Sequence, residues 1–263
     1  AYLVLNGHGV TSVALASVAV KLVTLIILFF LIKSEVGIIR PRFSPIKEYL
    51  SYSIPLIPRS IAFWLVNLSD RYVIGFFLGA APVGIYSAAY SIGSLPYSVA
   101  TVLTFVLLAT LSKLYDEGRM DEVKKHLSYS LKYLLAIVIP FVFGAAIIGE
   151  SVLRLFSTDE IASQGRLIIP LVALAVSFLS VHNIVSYNLL LAKKTKILGI
   201  TWAIAAGLNI GLNILVVPRL GILGAAITTL IAYSLAFGVI SYFAFREFRF
   251  PIDRRFIGKS LIA

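Results

Sequence analysis

Ile54–Tyr90 reads IPLIPRSIAFWLVNLSDRYVIGFFLGAAPVGIYSAAY. A long apolar run ends at Leu78, GAAPVG makes a turn with no charge, and a second apolar run begins at Val83. A spanning helix needs about 20 apolar residues, and these runs are too long and too little alternating for strands. The segment therefore reads as a hairpin of two transmembrane helices.

The same pattern extends outward in both directions. Seven runs qualify: Gly9–Ile32, Lys47–Leu78, Val83–Leu111, Glu122–Gly149, Glu160–Ala192, Lys194–Val217 and Ile222–Phe245. The expected fold is all-α, a polytopic bundle of about seven spanning helices. Composition agrees: 59% of residues are hydrophobic, 13% are charged, and mean hydropathy is +0.97. Soluble domains carry about 25% charged residues. Only a bilayer can serve as solvent for so much outward apolar surface. The chain starts at Ala1 inside an apolar run and holds one methionine, Met120, which suggests a piece of a longer protein. A further helix is expected to start near Ile257–Ala263.

The net charge of +11 is distributed by topology. Alternate connections carry sixteen basic residues against three. The rich set includes Lys33, Arg40, Arg42, Lys113, Arg119, Lys193, Lys194, Arg246 and Arg249, and the poor set is Arg154, Arg166 and Arg219. Basic loops stay cytoplasmic, so Ala1 is expected outside and Ala263 inside the cell membrane. This removes the need for a nucleic-acid partner. Ile38–Tyr49 suits a short interfacial segment, and Ser157 and Thr158 before Asp159 and Glu160 read as a helix N-cap.

Gly9-Val10-Thr11, Gly84-Ile85-Tyr86 and Gly221-Ile222-Leu223 each open a helix with small residues soon after. Glycine permits the turn, and small residues permit close packing with the preceding helix. Such repetition is common in transporters built from related halves.

Charges inside a membrane helix are costly and are functional candidates by default. The second helix carries Pro55, Pro58, Arg59, Ser60, Asn67, Asp70 and Arg71. Arg59 and Asp70 lie close to three turns apart and share a face, while Asp70 and Arg71 point about 100° apart. The prolines should kink or loosen the inner half of this helix. Arg59 reads as an anion contact, or equally as a structural ion pair or snorkelling side chain. Asp70 reads as a proton or cation-coupling site, or as one half of an interhelical salt bridge. Lys21 in the first helix is a third candidate for coupling. The third helix has a polar stripe of Tyr86, Tyr90, Ser94, Tyr97, Thr101 and Thr104, fit for a cavity wall or an interhelical seam. The fifth has Ser177, Ser180, Asn183 and Tyr187 with His182 beside them. In the sixth, Asn209 and Asn213 read as interhelical hydrogen-bonders, and Gly207 and Gly211 as a close-packing face.

Catalytic chemistry is poorly supported. Cysteine is absent, only His8, His126 and His182 are present, and there is no phosphate-binding glycine loop. No enzyme activity, metal site or cofactor is expected.

Ile54–Tyr90, together with LLLAKKTK at Leu189–Lys196 and VPRLGILGAA at Val217–Ala226, resembles the Wzx-type polysaccharide and O-antigen flippases. These belong to the multidrug/oligosaccharidyl-lipid/polysaccharide exporter superfamily. The resemblance implies two six-helix lobes around a central cavity. Residues 1–33 then form the last helix of the first lobe, 34–48 a cytoplasmic connection, 49–247 the second lobe, and 248–263 the entry to a further helix. It implies flipping of a lipid-linked oligosaccharide from inner to outer leaflet by alternating access. The implied partners are the bilayer, a polyprenyl-pyrophosphate-linked oligosaccharide, a coupling cation (proton or sodium), and the first lobe of the same chain. Asn67, Asp70 and Arg71 fall in the family-like NLSDR segment. Arg59 does not match a family-typical position, so its role rests on charge and depth. The expected substrate contacts are Arg59, Asn67, Arg71, Tyr86, Tyr90, Tyr97 and Asn183, with Asp70 and Lys21 for ion coupling. A drug or small-molecule exporter of the same superfamily, or a non-transporting scaffold for polysaccharide synthesis, are the alternatives.

Overall fold

The computed structural model describes residues 9–35, 37, 46, 50, 54 and 56–262. The chain divides into two compact units, Ala1–Leu50 and Ser51–Ala263. The first contains α1 (Gly9–Glu35), an apolar helix whose described side chains are all exposed within the chain. Lys21 is among them. The interfacial reading of Ile38–Tyr49 lies almost wholly outside the described residues.

The second unit is a helical bundle. α2 (Leu56–Leu78) has 23 residues, about 34 Å at 1.5 Å per residue, enough to cross a hydrocarbon core of about 30 Å. Its start falls well after Lys47, so Pro58 sits in the first turn, where a missing N–H costs nothing. The kink expected of this proline is therefore not needed; Pro55 lies outside the described residues. Gly79 (φ 90°) turns the chain into α3 (Ala80–Gly93).

The run expected as one helix over Val83–Leu111 is two. α3 stops at Gly93, Ser94 intervenes, and α4 (Leu95–Asp116) begins with Pro96 in its first turn. Proline cannot donate back to the preceding turn, which explains the break. α5 (Met120–Phe156) follows a turn at Gly118. Thr158 caps α6 (Asp159–Gly165) by accepting from the Ile161 N–H, as expected. The run over Glu160–Ala192 is then divided among α6, α7 (Ile168–Val185) and α8 (Tyr187–Leu191).

α9 (Thr195–Glu247) has 53 residues with a non-helical break at Gly221 (φ 62°, ψ −147°), three residues after Pro218. On a straight helix Asn213 and Thr228 would stand about 22 Å apart. Instead Thr228 Oγ1 donates to Asn213 Oδ1 at 2.7 Å. α9 is thus an antiparallel hairpin of two limbs, matching the two separate runs read from the sequence. A Cβ on Gly224 would meet Val216 Cγ1 at 2.9 Å, so the limbs touch where small residues were expected to let them. α10 (Arg254–Ile262) completes the described chain.

Six stretches among the described residues are long and apolar enough to cross a membrane. With α9 counted as two limbs they make the seven crossings expected, in an all-α, multi-pass membrane protein. One end of the second unit gathers the turns after α4, α8 and α9. There Lys194 pairs with Glu247, Lys132 with Asp253 at 2.8 Å, and Ser128 Oγ donates to the Pro251 carbonyl. Arg154, by contrast, binds Glu150 and Asp159 where α5 gives way to α6.

One packing expectation fails. Gly207 and Gly211 are exposed, and a Cβ on either would meet nothing within 4 Å. Their limb buries the asparagine face against α2 instead. The close approaches lie elsewhere: Gly93 against the Ile169 carbonyl and Val172, and Gly149 against Ile169.

A polar seam between three helices

Ser60, Phe63, Trp64, Asn67, Asp70 and Arg71 recur at three- and four-residue spacings, so they line one face of α2.

Asp70 is fully buried. It accepts three hydrogen bonds, from Tyr86 Oη (2.7 Å), Asn213 Nδ2 (2.7 Å) and Thr229 Oγ1 (2.6 Å). The donors come from α3 and both limbs of α9, and all are neutral. A second layer supports them. Asn213 Nδ2 also reaches Asn209 Oδ1 at 3.2 Å, and Ser69 Oγ donates to the same oxygen at 2.7 Å. Thr228 Oγ1 holds Asn213 Oδ1. The salt bridge that was one reading of Asp70 is replaced by a shell of hydroxyls and amides.

Arg71 turns away from Asp70, as adjacent helical residues must. Its Nη1 donates to the Asn67 carbonyl at 2.7 Å and its Nε to Ser87 Oγ at 3.3 Å. The guanidinium lies 4.7 Å from the centre of the Tyr90 ring, a cation–π distance. Asn67 donates to the Phe63 carbonyl, while its Oδ1 accepts from Tyr233 at 3.0 Å and Tyr90 at 3.5 Å. A tyrosine layer therefore sits one turn before Asp70.

On the other side of that layer is a cavity of about 280 Å³ lined by Ser60, Phe63, Trp64, Tyr97, Asn183 and Trp202. Trp64 is 54% exposed, whereas Trp202 is 1% exposed and packs edge-on to Phe63 and His182.

The structure thus brings Asn67, Asp70, Arg71, Tyr86 and Tyr90 into one network and places Tyr97 and Asn183 on the neighbouring cavity. It does not unify the third-helix stripe. Ser94, Thr101 and Thr104 hydroxyls bond to backbone carbonyls of their own turns. Ser177 and Ser180 do the same in α7, and Tyr187 donates to the Thr104 carbonyl. Lys21 belongs to the first unit. Arg59 lies on the helical backbone of α2, but its side chain is outside the described residues. Sequence reasoning missed Trp64, Trp202, Thr228, Thr229 and Tyr233. The threonine pair and a tyrosine four residues on, in an otherwise apolar run, were the available signal. Among the described residues no cluster of His, Cys, Asp or Glu could hold a metal ion.

Comparison with known proteins follows this geometry. The "probable flippase AglR" of Haloferax volcanii is 29% identical over 185 residues, covering 65% of this chain and 38% of that protein. The "probable low-salt glycan biosynthesis flippase Agl15" of the same organism is 22% identical over 203 residues, covering 77% and 43%. The "probable multidrug resistance protein YpnP" of Bacillus subtilis is 27% identical over 207 residues, covering 73% and 44%. These relatives are named as transporters, not enzymes, and the chain spans less than half the length of each. In fold, the chain is similar to the structure titled "Lipid II flippase MurJ, inward closed conformation". The TM-score is 0.73 at 21% identity, over 99% of this chain and 56% of that one. The family model described as polysaccharide biosynthesis protein matches residues 1–163, more than half the chain, and the chain belongs to that family.

Proposed function

We propose that this chain is one lobe of a transporter that flips a lipid-linked oligosaccharide from the inner to the outer leaflet by alternating access, driven by a proton or sodium gradient. The names of AglR and Agl15 support flipping, that of Agl15 supports the glycan substrate, and the likeness to MurJ supports the architecture. The basic end of the second unit faces the cytoplasm in this reading.

The observation that carries it is the buried Asp70. A carboxylate at a helix centre costs about 2.5–3.5 kcal/mol on insertion scales. Here it joins α2 to α3 and to both limbs of α9. Its partners are neutral oxygen- and nitrogen-bearing groups that can regroup around a proton or a cation. A change in its charge therefore alters the packing of helices that border the cavity. Arg71, with Asn67 and the tyrosine layer between, provides a cation toward the substrate pyrophosphate.

The test is reconstitution of the full-length protein in proteoliposomes with a polyprenyl-pyrophosphate oligosaccharide. Outer-leaflet glycan is measured with and without a proton or sodium gradient. Gradient-dependent flipping is expected, and Asp70→Asn should remove the gradient dependence. Unaltered dependence in that variant returns Asp70 to a structural role. The second reading, a small-molecule exporter, is favoured by the 27% identity to YpnP. Transport of a lipophilic cation in place of the glycan lipid would select it.

A further inference from the structure

We propose that the cavity between α2, α4, α7 and α9 is a subsite for one neutral sugar ring, stacked on Trp64. This rests on the glycan-transport reading and gives that substrate a specific contact.

The chain has two tryptophans, and both line this cavity. One presents a largely exposed ring, the other closes the wall. A pyranose has an apolar face of C–H groups and a rim of hydroxyls. The face stacks on an indole, and the rim needs fixed donors and acceptors. Asn183, half-buried at the wall, can supply both kinds through its amide. Trp202 adds an independent sign. Its Nε1 is buried with no hydrogen-bond partner among the described residues, on a ring that lines the cavity. Leaving a buried donor unsatisfied is unfavourable by about 1–3 kcal/mol, and a sugar oxygen would satisfy it once a small side-chain shift in the wall uncovers it.

Charge and size narrow the ligand class. Among the described residues no Asp, Glu, Lys, Arg or His lines the cavity, so no described side chain there carries a formal charge to compensate a phosphate. A volume of about 280 Å³ falls just below the range of small-molecule sites, which start at roughly 300 Å³. It suits one ring of a chain, not a whole oligosaccharide. Trp64 precedes Asp70 by six residues, about 9 Å along α2, so the sugar would sit beside the tyrosine layer that leads to the buried carboxylate.

The experiment is a tryptophan-emission titration of the chain in lipid nanodiscs. The probes are soluble neutral saccharides (glucose, N-acetylglucosamine), with glycerol as control and tetraphenylphosphonium as a lipophilic cation. A saturable change at millimolar saccharide is expected. Trp64→Ala should weaken it at least tenfold, read on the remaining Trp202, and Asn183→Ala several-fold. Trp64→Phe should retain part of the binding. Thermal melts confirm that each variant is folded, and Asn183→Ala stands in if Trp64→Ala is not. A flat response to every neutral saccharide, or a response to tetraphenylphosphonium alone, overturns the proposal. Flipping of the glycan lipid by the full-length protein separates the two readings. A flat titration with intact flipping removes the subsite and leaves the flippase. A saturable titration without flipping does the reverse.

Discussion

The seam between α2 and α9 and the seam between α4 and α5 are both buried, yet they are built from opposite materials. The first holds Ser69, Asp70, Asn209, Asn213, Thr228 and Thr229, all buried and joined by hydrogen bonds between elements far apart in sequence. The second holds Leu107, Leu111 and Leu114 with Val123, Leu127, Leu131, Leu134 and Val138, all buried and all aliphatic. Lipid tails are as apolar as leucine, so the aliphatic seam gains packing but little hydrophobic drive. That is sufficient for a fixed contact. The polar seam accepts the expense of a buried carboxylate and gains partners that can exchange. In the proposed transporter, α4–α5 would be the scaffold and α2–α9 the working part.

Truncation at the two seams sharpens that assignment most. Asp70→Ala leaves the Tyr86, Asn213 and Thr229 donors without their acceptor. Each orphan is unfavourable by up to about 1–3 kcal/mol, although membrane hydrogen bonds average nearer 0.6 kcal/mol because partners are found elsewhere. Leu134→Ala opens a cavity in the aliphatic seam and should destabilise by about 2–5 kcal/mol. Stability, measured by unfolding in mixed micelles, should fall in both. Transport per folded molecule should vanish in Asp70→Ala and stay near wild type in Leu134→Ala. Equal loss of transport in the two would erase the distinction between the seams.

How far this division was legible in the sequence depends on the residue. Crossing number, hairpins and the Thr158 cap follow from apolar run length and local chemistry, and all appear in the structure. Asp70 and Arg71 were visible as intramembrane charges pointing apart. The partners of Asp70 were not, because Thr229 lies 159 residues away and meets it only once α9 folds back at Gly221. The two tryptophans were equally mute: an indole in an apolar run has the same appearance whether it faces lipid, a core or a cavity. The third-helix stripe misled at its far end because a hydroxyl can satisfy itself on its own helix backbone, which periodicity does not reveal.

The glycines offer a second, smaller contrast. Gly149 on α5 approaches Ile169 on α7 so closely that a Cβ would stand 2.8 Å from Ile169 Cγ2. Gly149→Ala should therefore destabilise by about 1–3 kcal/mol, the usual range for overpacking. Gly207 on α9 was expected to be the close-packing position, yet nothing lies within 4 Å of its Cβ direction. Gly207→Ala should be neutral or stabilising by up to about 1 kcal/mol from helix propensity. Melting temperatures that order the two variants the other way would mean that α9, not α5, makes the tight seam.

The smallest effect is expected where polar contacts meet water, at the start of α10. Asp253 receives Lys132 Nζ at 2.8 Å and the Phe256 N–H at 2.9 Å. The lysine hydrogen bond, first, and then the backbone N–H hold its carboxyl below the usual carboxylate range. A depressed carboxylate contributes its full stabilisation above its unfolded pKa of about 3.9 and loses it as pH falls through the lower folded value. The docking of α10 on α5 should thus be constant near neutrality and loosen only below about pH 4. The chain has no cysteine, so Ser260→Cys gives a single site for a nitroxide label. Label mobility should rise as pH drops from 4 toward 2, and Asp253→Ala should make it high at every pH. An exposed contact of this kind can be lost while the Asp70 seam stays closed. If acid or Asp253→Ala instead left the label unmoved, the apolar contacts of Ile252 and Ile257 with Leu131 and Leu135 around the neighbouring groove would be what holds α10 in place.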